Sequence, residues 1–220
     1  VSEGEGWVMV DKPAGVAVHP LEEGERGTML NRVVAKYPQI QGVGEGGLKS
    51  GVVHRLDVDT SGVLLFATDQ ERWEALRKAF KGHSTKKVYR AIVDGEMEGA
   101  GREMMDLVVV KHSPARVGVV NPTQGYMPAG ARECYLNWRV IERLGGASLI
   151  EVELGTGFLH QIRVMMAHAG HAVVGDAVYG KGEAGVSRQM LHASYLRAGV
   201  AEGRCGEPED FMRVLKKLGG

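Results

Sequence analysis

Residues 54–69 read HRLDVDTSGVLLFATD and place a polar segment directly before an apolar one. The continuous apolar run from Gly62 to Ala67 is typical of a buried strand. The loop before it therefore lies at the edge of a core, where a carboxylate such as that of Asp57 can be held partly away from water. The same residues also favour turns, so the loop could equally have a purely structural role. The segment by itself leaves both interpretations open.

Outward from this segment, hydrophobic periodicity predicts helices in four other stretches of the chain. Thr28 is a candidate N-cap for the first, and Thr68 with Glu71 forms the pattern of a capping box for the second. The predicted helices cover residues 28–37, 68–82 and 160–169, together with a C-terminal segment that Pro208 opens.

Strand-like patterns account for most of the remaining apolar residues. Because strands and helices are interspersed irregularly, the sequence predicts an α+β fold with a mixed, mostly antiparallel central sheet flanked by helices. We expect residues 1–220 to form a single domain. The predicted strands are 7–10, 15–18, 62–67, 87–93, 107–110, 116–120, 133–141, 148–154 and 190–196.

The overall charge suggests no particular partner, because the chain has 27 basic and 27 acidic residues. Locally the balance differs, since residues 71–90 contain seven basic and two acidic side chains, a net charge of +5. Such a stretch can follow the phosphates of a nucleic acid. It can also be the solvated face of a helix, and the charge alone does not separate the two.

Several other classes of protein are disfavoured by the composition. No apolar run approaches the roughly 20 residues of a membrane-spanning helix, and the first residues lack the pattern of a secretory signal. Cys134 and Cys205 have the spacing of neither a disulfide framework nor a zinc site. We therefore expect a cytoplasmic protein with no membrane partner.

Two further patterns resemble ligand sites without the context that such sites require. Residues 42–47 satisfy the G-x-G-x-x-G string of dinucleotide sites, but no strand is predicted before them and no helix after them. His160, His168 and His171 have no carboxylate or cysteine at a convincing ligand spacing, so we expect no metal site. A nucleotide-dependent enzyme that uses the glycine loop is kept only as a minor alternative.

The stretch HRLDVDTSGVLLFATD resembles the signature of the RluA-type pseudouridine synthases, in which H-R-L-D-x-x-T-S-G precedes an apolar strand. Further segments resemble the family's other motifs, in the family's order and over essentially the whole chain. They are VMVDKPAGVAVHP at 8–20, KKVYRAIVDG at 86–95, LHQIRV at 159–164, GHAVVGDAVYG at 170–180, LHA at 191–193 and PEDF at 208–211.

This resemblance implies an enzyme that isomerises uridine to pseudouridine in ribosomal or transfer RNA, using neither cofactor nor metal. It also implies a mixed sheet with an RNA-binding cleft, and we expect a monomeric catalytic domain without a separate N-terminal RNA-binding module. The alternative is a non-catalytic RNA-binding or ribosome-assembly factor built on the same fold.

The resemblance also implies roles for individual residues. Asp57 matches the catalytic aspartate, Arg163 the basic residue that pairs with it, and Tyr89 the active-site tyrosine. The residues expected to contact the substrate or its RNA are His54, Arg55, Thr60, Lys87, His160, Gln161 and Leu191.

One loop departs from the family pattern. The family usually has T-G-R-T before H-Q-I-R, whereas this chain has Thr156-Gly157-Phe158-Leu159. A cation and a hydroxyl are therefore missing, which implies fewer RNA contacts at this loop.

Overall fold

The structure is a computed structural model, and it describes residues 1–121, 127–183 and 185–220. The chain forms two compact units, each made of two segments. Unit 1 comprises Val1–Lys87 and His192–Pro208, and unit 2 comprises Val88–Leu191 and Glu209–Gly220. That residues 1–220 act as one catalytic domain stays a prediction.

Unit 1 is built on short strands with two helices. Its helices are α1 (Met29–Lys36) and α2 (Gln70–Lys81), and its strands are β1 (Ser2–Gly4), β2 (Trp7–Lys12), β3 (Ser61–Ala67), most of β9 (Leu191–Ala198) and β10 (Ala201–Arg204). Strands β1, β2 and β3 pair antiparallel in that order, and β10 pairs antiparallel with β9. The β3–β9 pair is parallel, with Ser61 opposite His192.

Strand β3 lies at the centre of the unit 1 core. Every residue from Ser61 to Ala67 is buried, as the continuous apolar run predicts. Gly62 has a φ of +122°, and a Cβ there would lie 2.2 Å from the carbonyl oxygen of Ala193 on β9. Only glycine therefore allows the two backbones to approach so closely. The polar loop 54–60 leads directly into this buried strand.

The elements of unit 2 are β4 (Thr85–Asp94, whose first residues belong to unit 1), β5 (Ala100–His112), β6 (Ala115–Val119), β7 (Arg132–Arg143), β8 (Ala147–Leu154), α3 (Gln161–His168) and α4 (Glu209–Gly219). The strands pair antiparallel in the order β4, β8, β7, β5 and β6. Representative register pairs are Ala91 with Ile150 and Met104 with Tyr135. Helix α4 buries Phe211 and Val214 in the core of the unit.

The α+β class with mostly antiparallel strands is confirmed, and so are the four predicted helices. The N-cap of α1 is Thr28, as predicted; its side chain accepts a hydrogen bond from the backbone N–H of Asn31. The structure adds two strands that the periodicity does not reveal, β1 and β10. Within residues 1–121, 127–183 and 185–220, no helix has the length and apolar character needed to cross a membrane.

Two local predictions are wrong. Residues 15–18 are not a strand, because the carbonyls of Ala17 and Val18 instead accept hydrogen bonds from the first N–H groups of α1, at 2.9 Å each. The N-cap of α2 is Asp69 rather than Thr68, since the Asp69 carboxylate accepts from the backbone N–H of Arg72 at 2.7 Å. Aspartate and threonine are both good caps, so the sequence pattern could not choose between adjacent residues.

Candidate active site

The loop that carries Asp57 folds into a turn immediately before β3. The carbonyl of Asp57 accepts a hydrogen bond from the backbone N–H of Thr60 at 3.1 Å. Thr60 is buried, Asp57 is partly buried, and Val58 and Asp59 between them are exposed. The turn interpretation of the sequence is therefore right, and the same turn keeps the Asp57 carboxylate at the boundary between core and solvent.

A buried lysine holds this turn in place. The ammonium of Lys12, whose side chain is inaccessible to solvent, donates to the carbonyls of Pro13 at 3.0 Å, Val16 at 2.8 Å and Val58 at 2.7 Å. The backbone N–H of Gly15 donates to the same Val58 carbonyl at 3.0 Å. Because a buried ammonium is costly unless hydrogen-bonded, these carbonyls stabilise Lys12 and fix the two loops to each other.

Lys12 has no role that the sequence pattern predicts, although it lies in the K-P-x-G segment that resembles the family motif. The available signal was a lysine at the end of a short apolar strand and next to a turn. Lysine is rarely fully buried, so periodicity alone gives no reason to expect its side chain inside the core.

A second polar contact lies where β3 and β9 pair. The hydroxyl of Ser61 and Nδ1 of His192 are 2.9 Å apart, and Nε2 of His192 is 3.3 Å from the carbonyl oxygen of Cys205. His192 is fully buried, and burial raises the pKa of the Cys205 thiol to about 12. The thiol is therefore neutral near pH 7, and this network is a structural contact that fixes the start of β3.

The imidazole ring of His54 contacts both the backbone and an aromatic side chain of unit 1. Its Nε2 accepts a hydrogen bond from the backbone N–H of Leu65 at 3.0 Å, and the ring stacks on Phe80 at a centroid distance of 4.8 Å. Burial, with a smaller contribution from the charge of Lys87, lowers the pKa of His54 to about 3. The imidazole is therefore neutral near pH 7, as an acceptor at Nε2 must be. Its assignment to RNA binding stays a prediction.

Arg55 and Lys87, which are also predicted to contact the RNA, differ in their exposure to solvent. Arg55 is exposed, so it can reach a ligand in solution. Lys87 is only 7% exposed, and burial lowers its pKa to about 8. Close to neutral pH, Lys87 therefore exists as both charged and neutral forms.

Tyr89, Arg163 and Leu191 belong to unit 2, and all three are buried. Tyr89 lies on β4 opposite Val152 of β8, a position that an ordinary strand aromatic could also occupy. Arg163 lies on α3 and is 5% exposed, so it is not the solvated helical arginine that its sequence position would ordinarily suggest. Its described partner is Asp176, at 2.7 Å between Nε and Oδ2.

His160 and Gln161, which lie three and two positions before Arg163, make contacts within unit 2. Gln161 donates to the carbonyl of Tyr135 at 2.9 Å and accepts from the backbone N–H of Phe158 at 3.0 Å. It therefore holds the loop in which the chain departs from the family pattern. His160, which has a φ of +52°, places Nδ1 2.9 Å from the hydroxyl of Tyr179. The RNA-binding roles predicted for His160 and Gln161 remain predictions.

In the part of the chain that the structure describes, neither the glycine string at 42–47 nor the histidines at 160, 168 and 171 show the context that a nucleotide or metal site requires. The glycines at 42–47 precede a short 3-10 turn, Gly47–Lys49, rather than an α-helix, and Gly44 packs against Trp73 of α2. Over the part of the chain that the structure describes, no three His, Cys, Asp or Glu side chains converge as ligands for a metal ion. His171, for example, contacts the carbonyl of Asp94 with its Nδ1 at 2.9 Å.

Comparison with known proteins places the chain in a family. The family model described as RNA pseudouridylate synthase matches residues 6–168. The chain belongs to this family and is of the RluA type, which confirms the resemblance of its motifs.

Curated bacterial relatives are similar over most of the chain. An uncharacterized RNA pseudouridine synthase of Chloroflexus aurantiacus is 37% identical over 207 residues, which cover 93% of this chain and 62% of the relative. The ribosomal large subunit pseudouridine synthase D of Pseudomonas aeruginosa is 34% identical, with 99% of this chain and 71% of the relative covered. The chain spans less than two thirds of the length of several of these relatives, about 60% in some.

Solved structures share the fold. Human RNA Pseudouridylate Synthase Domain Containing 1 matches with a TM-score of 0.76, covering 99% of this chain and 86% of that chain. At 23% sequence identity, this likeness is evidence for the fold alone.

Proposed function

We propose that the protein is an RNA pseudouridine synthase, an isomerase that converts uridine within RNA to pseudouridine. The observation that carries the proposal is the family signature folded as a turn before β3, with the Asp57 carboxylate at the boundary of solvent and core. The buried Lys12 ammonium holds this turn through the Val58 carbonyl. A carboxylate fixed in this way is pre-organised for chemistry on a bound ligand.

The proposed reaction rearranges bonds without consuming another molecule. The N1–C1′ bond of uridine breaks, the uracil turns, and a C5–C1′ bond forms. The proton on C5 is then lost, and N1 carries one instead. Asp57 acts either as a nucleophile at C1′ or as the base that removes the 2′ proton.

We propose that Arg163 and Tyr89 assist Asp57, as the match of these residues to family motifs implies. Arg163 favours the ionised form of a carboxylate and orients it, as a guanidinium does at short range. Tyr89 stacks on the uracil and helps to remove the C5 proton. These roles rest on the match of both residues to family motifs, together with the burial of both side chains.

The target base must leave its stack to reach the carboxylate, because the reacting atoms are inaccessible in stacked RNA. We propose that the exposed Arg55 fills the gap that the base leaves, with His54, Thr60 and Lys87 supporting the same loop region. Leu191 forms an apolar wall for the uracil, and His160 and Gln161 contact the RNA.

The proposed substrate is ribosomal or transfer RNA, with large-subunit ribosomal RNA as the first candidate. The support is the name of several relatives at 31 to 34% identity, ribosomal large subunit pseudouridine synthase D. We propose that the protein acts on this RNA in the cytoplasm, as a monomer and without metal or cofactor.

The test compares wild type with Asp57→Asn and a matched control, Asp59→Asn, in the same turn. Release of tritium from large-subunit ribosomal RNA transcribed with [5-³H]uridine measures the isomerisation, and filter binding measures RNA affinity. We expect Asp57→Asn to lower the rate by about 1000-fold or more with RNA affinity retained, and Asp59→Asn to stay near the wild-type rate.

Two outcomes would contradict the proposal. Full activity in Asp57→Asn would show that Asp57 is not the catalytic carboxylate. A wild-type protein that binds ribosomal and transfer RNA but forms no pseudouridine in either would instead be a non-catalytic RNA-binding factor.

A further inference from the structure

Arg163 and Asp176 form a two-point ion pair inside unit 2. The Nε of Arg163 lies 2.7 Å from Oδ2 of Asp176, and its Nη2 lies 3.0 Å from Oδ1. The Asp176 side chain is fully buried, and Arg163 is 5% exposed. A bidentate pair of this kind fixes the plane of the guanidinium as well as its distance from the carboxylate.

Backbone N–H groups of the loop before β9 also hold the carboxylate of Asp176. Oδ1 of Asp176 also accepts the backbone N–H groups of Val178 at 2.8 Å and Tyr179 at 3.1 Å. Burial by itself raises the pKa of Asp176, but the Arg163 guanidinium and these N–H groups lower it further than burial raises it. Asp176 is therefore ionised near pH 7.

Gly175 is the residue that lets this loop turn. It has a φ of +78°, and a Cβ there would lie 2.1 Å from the carbonyl oxygen of Arg188. A side chain at this position would meet both a strained backbone and a clash, so glycine is required immediately before Asp176.

Tyr179 covers the face of the same guanidinium. Its ring centroid is 5.3 Å from Cζ of Arg163, within the range of a cation–π contact. Its hydroxyl accepts the backbone N–H of Val117 on β6 at 2.8 Å and contacts Nδ1 of His160 at 2.9 Å. The hydroxyl end of the tyrosine is thereby fixed, and the guanidinium is held at one edge by Asp176 and over one face by the Tyr179 ring.

We infer that Asp176 and Tyr179 are positioning residues, which hold Arg163 so that its guanidinium acts on the reacting groups in one fixed orientation. The inference rests on the proposed function and deepens it. The two hydrogen bonds that Asp176 accepts fix the plane of the Arg163 guanidinium. The Tyr179 ring, which covers one face of the guanidinium, prevents it from tilting out of that plane.

Stability alone is a poor explanation for this arrangement. A buried ion pair contributes little net stability compared with apolar side chains of the same volume, because both charges lose their hydration. The other side chains of α3 show that apolar packing is available here, since Ile162, Val164, Met165 and Met166 are all buried. A buried charge on such a helix is better explained by a need for the charge.

The test uses Asp176→Asn, which removes the charge, and Asp176→Glu, which keeps the charge but lengthens the side chain. Glu151→Gln is the matched control, because it makes the same carboxylate-to-amide change in unit 2 and breaks an ion pair with Arg139 at 2.8 Å. For each variant, kcat and KM are measured by tritium release from the large-subunit ribosomal RNA transcript. The Nε–H resonance of Arg163 is followed in ¹⁵N-labelled protein.

We expect Asp176→Asn to lower kcat by about 10- to 100-fold while KM changes by less than about threefold, because the amide lacks the charge that holds the guanidinium in a bidentate pair. Asp176→Glu should recover part of the loss, and Glu151→Gln should stay within about twofold of wild type. The Nε–H resonance of Arg163, shifted and protected from exchange in wild type, should lose its protection in Asp176→Asn. If Asp176→Asn does not fold, the kcat of Asp176→Glu is compared with that of the control Glu151→Gln.

A wild-type kcat in both Asp176 variants, an equal loss of kcat in Glu151→Gln, or an unchanged Nε–H resonance in Asp176→Asn would overturn the inference. Failure of the proposed function would be recognised separately, because wild type would then form no pseudouridine. In that case the Nε–H resonance still tests whether Asp176 holds Arg163, since its protection from exchange depends on the contact with Asp176 and not on turnover.

Discussion

The ammonium of Lys12 and the carbonyl oxygen of Val58 are 2.7 Å apart, although the two residues are separated by 46 positions in the sequence. This contact joins the end of β2 to the turn that carries Asp57. The ordering of the proposed catalytic loop therefore depends on a side chain that belongs to a different motif.

Replacing Lys12 with methionine should loosen this turn and destabilise the protein. The carbonyls of Pro13, Val16 and Val58 would lose a charged donor, at a cost of about 3 kcal/mol in the free energy of unfolding. Urea denaturation measures this cost, and kcat should also fall because the Asp57 turn loses its anchor. Lys49→Met, which alters an exposed lysine, is the control. A Lys12→Met protein as stable as this control would show that the ammonium does not hold the turn.

His54 should make stability depend on pH. Its pKa is about 3 in the folded protein and about 6.5 in the unfolded chain, so the unfolded chain takes up its proton first as the pH falls. Its contribution is constant above about pH 6.5 and decreases below it, by about 2 kcal/mol at pH 5, with no further loss below about pH 3. Urea denaturation at a series of pH values measures this loss.

The control for this pH dependence is His54→Gln, which keeps an acceptor for the Leu65 N–H but has no proton to gain in this range. The decline in stability between pH 6.5 and 5 should be smaller in this variant, after the common effect of the other histidines is subtracted. Identical slopes in the two proteins would mean that His54 is not the partly buried neutral group inferred from its contacts.

Gly62→Ala should strongly destabilise unit 1. The new methyl group would lie 2.2 Å from the Ala193 carbonyl oxygen, so the parallel pairing of β3 and β9 would have to open, at a cost of about 3 kcal/mol or more. Gly15→Ala is the control, because Gly15 also has a positive φ, +78°, but has open space where a Cβ would lie. It should cost only about 1 kcal/mol. Equal melting temperatures for the two variants would contradict the close approach of the strands.

The exposed lysines at the end of α2 should contribute to RNA binding through phosphate contacts. Of the basic residues in 71–90, Arg77 donates to the Val53 carbonyl and Lys87 is buried, whereas Lys78 and Lys81 are exposed. Changing both exposed lysines to glutamine should reduce the slope of log affinity against log salt by about 1.5. Filter binding to the ribosomal RNA transcript at several salt concentrations measures the slope.

The matched control for this double variant is Arg32→Gln with Lys36→Gln, which removes two cations from α1 in the same unit. Its slope should stay close to that of wild type. If both double variants lower the slope equally, the effect reflects total charge, and the end of α2 is not a specific phosphate contact.

Much of the fold could be predicted from local patterns. The apolar run of β3 and the period of α2 indicate which faces are buried, because burial repeats with the geometry of strand or helix. The errors occurred where the pattern was short. Residues 15–18 are apolar like a strand, yet the carbonyls of Ala17 and Val18 accept hydrogen bonds from Met29 and Leu30, at the start of α1 and twelve positions further along the chain.

By itself, the sequence determined the helices, most of the strands and, through the order of its motifs, the family and the candidate carboxylate Asp57. Only the tertiary structure showed that Lys12 holds the Asp57 turn and that Asp176 holds Arg163. The physical reason is that periodicity records whether a residue is buried. The partner of a buried charge depends instead on which distant backbone or side chain the fold brings within hydrogen-bonding distance.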